Sequence, residues 1–176
     1  SCIVSNMVFE HVPSERVEAV AGEITRLLAP GGTGIFVFPT KRTLIEGHVG
    51  VPFAHWIDGN PQILGKYLSA SYRIGVGYWR SDRKRGGPPT VSREAWVSRF
   101  VTELTDTVHY SSRRRWAKAF RNSGCEVNNQ SHWLMSFAAS SQLNLILRSA
   151  TRISIVRGFV NGAVEARLGV VLEVTK

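Results

Sequence analysis

Cysteine is scarce in this chain. Only Cys2 and Cys125 occur among 176 residues, far apart and outside any CxxC pattern. That count and spacing exclude a disulfide framework and a zinc knuckle, and they fit a reducing compartment. Long apolar runs are missing too: none approaches the ~20 residues that cross a bilayer. No signal-peptide pattern is seen, so the expected location is cytoplasmic. Internal repeats and low-complexity tracts are absent. Acidic residues are in the minority, with 13 Asp and Glu against 22 Lys and Arg, a formal net charge of +9. A balance of that sign favours anionic partners: nucleic acid, an acidic membrane surface, or phosphorylated or carboxylated small molecules. Disorder is excluded by an apolar fraction of 43%, enough for one domain with a core.

The opening forty residues carry the clearest pattern. Cys2-Ile3-Val4 reads as the tail of a buried strand. Ser14 is a candidate N-cap, with Glu15 and Glu18 in the first turn. Val17, Val20, Ala21, Ile24, Leu27 and Leu28 recur at helical spacing. Arg26 suits the negative end of the helix dipole. Pro30-Gly31-Gly32 stops the helix, because proline cannot continue the ladder and glycine tolerates left-handed backbone. Ile35-Phe36-Val37-Phe38 is a continuous apolar run, which predicts a strand covered on both faces. Strand, helix, strand is a right-handed βαβ unit.

Residues 41–110 read as an insertion. Glu46 to Trp56 form a loop dense in Gly, His and aromatics. Pro61 opens a short helix with Leu64, Tyr67 and Leu68 inward. Arg80 to Pro89 is a basic, breaker-rich linker. Ser92 caps a helix whose apolar face is Val97, Phe100, Val101, Leu104 and Val108. Beyond it, a helix after Ser112 turns Trp116, Ala119 and Phe120 inward and stops at Asn122-Ser123-Gly124. Cys125-Glu126-Val127 begins a strand. Residues of about 134–165 form a helical insertion, and Leu168 to Val174 make a final strand.

Three segments, in this order, resemble the back half of a class I S-adenosylmethionine-dependent methyltransferase. Ser5 to Val12 resembles the family's strand end and following loop. Leu27-Leu28-Ala29-Pro30-Gly31-Gly32 resembles its helix-to-strand turn, with Arg26 one place later than the usual spacing. Phe120 to Val127 resembles its later "aGF-x-V" segment, with Cys125 where an aromatic is usual. The resemblance implies an α/β, Rossmann-like fold: a mostly parallel sheet with an antiparallel C-terminal edge pair, its N-terminal strands missing. Residues 1–40 would be the βαβ part of the core, 41–110 an acceptor-side cap, and 111–176 the last helix and edge strands. The family's Gly-rich loop and ribose-binding acid do not occur in the sequence, and Gly75-Val76-Gly77 lacks the flanking strand and helix to replace them. The chain is therefore expected to be a fragment, inactive alone.

The resemblance places Ser5, Asn6 and His11 near the cofactor, S-adenosyl-L-methionine, beyond the carboxyl end of their strand. Some relatives bind magnesium through E-x-x-E-H here. This chain has Met7 in place of the first carboxylate, and Glu10-His11 alone make a poor magnesium site, so no metal is expected. The inserted loop resembles an "E-G-H-x-G-x-P-F-x-H-W" stretch that overhangs the acceptor. His48 and His55 are the candidate acid/base residues, with an imidazole suited to take a proton near neutral pH. Phe53 and Trp56 would line the acceptor pocket. The implied reaction moves a methyl group to an oxygen or nitrogen of a small-molecule, sugar or lipid-precursor acceptor. The alternative is a non-catalytic basic module, or inactive fragment, contacting nucleic acid or an anionic membrane through Arg83-Lys84-Arg85 and Arg113-Arg114-Arg115 or through Arg148, Arg152 and Arg157. Oligomeric state has no signal in the sequence.

Overall fold

A computed structural model describes residues 1–77, 92–134 and 154–176; for 154–156 only the backbone is described. The basic linker, including Arg83-Lys84-Arg85, and much of the expected insertion at about 134–165 lie outside those residues. In chain order the elements are β1 (Cys2–Asn6), α1 (Val17–Leu27), β2 (Thr33–Phe38), α2 (Pro61–Ile74), α3 (Arg93–Thr102), α4 (Arg113–Asn122), β3 (Glu126–Asn129), α5 (Ser154–Arg167) and β4 (Val170–Thr175). They fall into two compact units: Ser1–Thr43 with Tyr110–Lys176, and Leu44–His109.

The first unit is α/β, built on a four-stranded mixed sheet of order β1-β2-β4-β3. β1 and β2 are parallel, with Ser5 beside Phe36. β4 runs against β2 and against β3. Three strands thus share one direction, and the last is threaded between the second and third in reverse.

The core lies on one face of that sheet. Gly34, Phe36 and Phe38 alternate inward along β2, and Val170, Leu172 and Val174 do so along β4. α1 and α4 cover them with Val17, Ala21, Trp116, Ala119 and Phe120. Phe9 threads through the middle, its ring 4.0 Å from Trp116 and 4.8 Å from Phe36. Offset aromatic stacking of this kind adds to simple burial. The opposite face differs from expectation: Ile35 and Val37 are only half-buried, and Val4 is 67% exposed. Among the described residues, the apolar run of β2 is fully covered on one side only.

α1 also departs from its expected start. Ser14 lies in a 3-10 turn, and no side chain caps the helix. The Ser14 hydroxyl instead meets that of Ser111 at 3.3 Å, a tertiary bond replacing the local one. Leu27 is exposed, because the stripe Val17, Ala21, Thr25 and Leu28 follows the helical period and leaves it to one side. The Pro30-Gly31-Gly32 turn forms as expected, with Gly31 at φ 70°. A Cβ on Gly32 would fall 2.8 Å from the Ala29 carbonyl oxygen, so that turn has no room for a side chain.

The second unit is helical. α2 starts at a capping Asn60, whose Oδ1 accepts from the Ile63 amide at 3.1 Å, and buries Leu64 and Leu68. It is four turns long, more than the short helix expected, and ends at Gly75 in the left-handed conformation. Gly75-Val76-Gly77 is thus a helix stop. α3 is capped by Ser92, whose Oγ accepts from the Ala95 amide at 3.2 Å. Trp96 is its buried residue, while Val97, Phe100 and Val101 are half-buried. The helix continues into a π-type turn, Glu103–Thr107. No described helix is long and apolar enough to cross a membrane.

Candidate functional site

β1 delivers Ser5 and Asn6 to the carboxyl edge of the sheet. Its alternation sends them to opposite faces: Ser5 is half-buried on the core side, level with Phe36, while Asn6 is exposed, level with Val37. Met7 then takes a left-handed conformation at φ 56°, and its amide donates to the Val37 carbonyl at 2.8 Å. That turn ends the strand and leads into the short 3-10 turn Phe9–His11. Phe9 and Glu10 are buried and His11 is exposed. Ser5, Asn6 and His11 thus occupy one strand end and the loop after it.

The inserted loop in the second unit is built around Glu46. Its carboxylate accepts from the His48 and Val49 amides at 2.8 and 2.6 Å. Its backbone amide donates to the Val51 carbonyl, and a bridge joins Ile45 to Pro52. The Tyr67 hydroxyl on α2 donates to the Pro52 carbonyl at 2.7 Å. A buried carboxylate gathering adjacent amides fixes a tight turn, with Val49 and Val51 fully buried beneath it.

This frame presents the four loop residues differently. His48 is half-buried, with Nδ1 3.4 Å from Glu103 Oε1. His55 is only 1% exposed, in a 3-10 turn between Ala54 and Trp56. Phe53, at φ 58°, and Trp56 are turned outward, 43% and 52% exposed, with ring centroids 4.8 Å apart. The His55 ring meets the edge of Trp56 at 6.1 Å. An aromatic pair held partly in solvent offers an apolar surface to a ligand.

Glu103 is the site residue that sequence reasoning missed. It opens the π-type turn, a feature frequent at functional sites. In sequence it reads as an ordinary surface partner of Arg99, four residues before it, and that contact exists at 3.9 Å. The shorter approach is to His48. A carboxylate beside Nδ1 orients the ring.

Comparison with protein-family models, with curated proteins and with solved structures finds no match to this chain.

Proposed function

We propose that this chain carries the back half of an S-adenosylmethionine-dependent methyltransferase of class I. It would act on an oxygen or nitrogen of a small-molecule, sugar or lipid-precursor acceptor. One observation carries the reading: the last two strands form an antiparallel edge pair beside a parallel βαβ unit whose helix ends in Pro30-Gly31-Gly32. That is the arrangement the family resemblance implies.

The polar groups at the end of β1 suit a donor. Asn6 and His11 are open to solvent, and ligands of open α/β sheets bind beyond the carboxyl ends of the strands. Ser5, Asn6 and His11 are the residues of this chain that would hold the cofactor, which supplies an activated methyl group. On the acceptor side, Phe53 and Trp56 bind the apolar part of the molecule. His48, oriented through Nδ1 by Glu103, is the residue that would take the proton of the attacking hydroxyl or amine. For His55, which is buried, the proposed part is different: it supports Trp56 and so orients the acceptor platform. Alignment of donor and acceptor is the larger contribution in such transfers.

Calorimetric titration of the full-length protein, including its cofactor-binding half, with S-adenosyl-L-methionine tests the reading. Saturable heat and a raised melting temperature are expected. Absence of both overturns it.

A further inference from the structure

The first unit contains a polar cleft of about 470 Å³ beyond the carboxyl ends of β2 and β3. Its size falls within the range of small-molecule sites, ~300–1,000 Å³. Three guanidinium groups line it, from Arg42, Arg113 and Arg157. Among the described residues a single carboxylate, Glu165 on α5, answers them, and it is buried.

That carboxylate is already engaged. Glu165 Oε2 accepts from Arg113 Nε at 3.3 Å, and Oε1 accepts from the Thr40 hydroxyl at 3.3 Å. The wall beside it is engaged as well. Asn161 Oδ1 accepts from the His132 amide at 2.6 Å, and its Nδ2 donates to the Asn129 carbonyl at 3.0 Å. The polar frame is therefore fixed by its own bonds. The guanidinium groups of Arg42 and Arg157 have no hydrogen-bond or ion-pair partner among the described residues, and both side chains are exposed at the cleft. Among the described residues, three positive charges against one negative leave an excess of two at a concavity. On α5, Gly158 and Gly162 stand one turn apart at the same cleft, and a Cβ on either would meet nothing within 4 Å. The helix leaves space where side chains would otherwise stand.

We infer that this cleft binds the phosphate group of a small phosphate monoester, with Arg42 and Arg157 as its two charge partners. A phosphate dianion matches the surplus charge, and guanidinium groups grip its oxygens in pairs. A carboxylate carries half that charge, and a polymer would need a continuous surface in place of a bounded cleft. The inference stands apart from methyl transfer, since it rests on the charge and shape of the cleft alone.

Calorimetric titration of the protein with inorganic phosphate and with acetate, without methyl donor, tests it. Saturable phosphate binding well above that of acetate is expected. Arg42→Gln and Arg157→Gln should each weaken it by about tenfold or more, the loss of a charge-assisted hydrogen bond. Both residues are exposed, so their melting temperatures should match the parent's. Arg26→Gln, whose arginine pairs with Glu23 on α1, should leave binding unchanged. The inference is overturned by a lack of saturable phosphate binding, by equal weakening in Arg26→Gln, or by tighter oligonucleotide binding that survives both cleft substitutions. Phosphate binding without donor binding by the full-length protein would sink the methyltransferase reading and leave this one standing.

Discussion

The pairing of His48 with Glu103 shows how a site is divided between a legible residue and a hidden one. His48 draws notice because it sits in a loop dense in Gly, His and aromatics. Glu103 lies far along the chain on an amphipathic helix, and no spacing rule connects the two. Their 3.4 Å approach exists only once the loop and α3 have packed. In the full-length enzyme, under the proposed chemistry, His48→Ala lowers kcat by about a hundredfold or more, the low end for a general base. Glu103→Gln lowers it less, because the imidazole stays and only its orientation weakens. Single-turnover rates at saturating donor check both, and equal loss of donor affinity would refute the assignment. His55→Ala should behave differently, lowering the melting temperature along with the rate, since that ring is buried. In the first unit, Trp116 is fully buried against Phe9. Trp116→Ala should cost about 3–5 kcal/mol, the range for an emptied aromatic site, measurable by urea denaturation.

Elements defined by local chemistry are legible in the sequence. Ser92 and Ser112 cap α3 and α4, and each hydroxyl accepts an amide three residues on. Pro30-Gly31-Gly32 stops α1, and β2 is marked by its apolar run. Features set by distant partners were not readable. Ser14 gave up its expected cap for Ser111, and Leu27 fell outside a stripe whose direction is fixed by the sheet beneath. The second face of β2 follows the same logic: sequence states its apolar character, while the neighbours decide its cover. Ser112→Ala should therefore destabilise the protein by about 1 kcal/mol, and Ser14→Ala should act through the lost Ser111 contact alone. Thermal denaturation of the two variants separates these cases. Glu18 offers a pH handle between α1 and α4. A backbone hydrogen bond, then the hydrogen bond from Arg115, holds its carboxyl below the ordinary value of 4.5. A depressed folded value adds stability that is present above the ordinary value and lost as pH falls through the folded one. Solvent screening at this exposed position keeps that contribution small. Arg115→Gln should move the Glu18 titration upward when followed by carbon-detected NMR.

At the scale of the whole molecule, excess positive charge and an uncovered strand pull in opposite directions. The charge of +9 keeps molecules apart at low salt. β1 pairs with β2 on one side, and among the described residues no strand pairs with its other edge, where Val4 is also exposed. Unpaired edges template association. Raising salt screens the charge, so association measured by light scattering should increase with ionic strength, and Val4→Lys should reduce it. The reversed strand between β2 and β3 has a consequence of timing. Among the described residues β3 pairs with the sheet only through β4, which follows it in the chain by a long interval. During synthesis β1, α1 and β2 can assemble as soon as they leave the ribosome, whereas β3 must wait, unpartnered, for residues 170–175. The closing strand works as a zip between two parts made at different times, and a nonsense codon just ahead of it would cost the sheet two strands, not one.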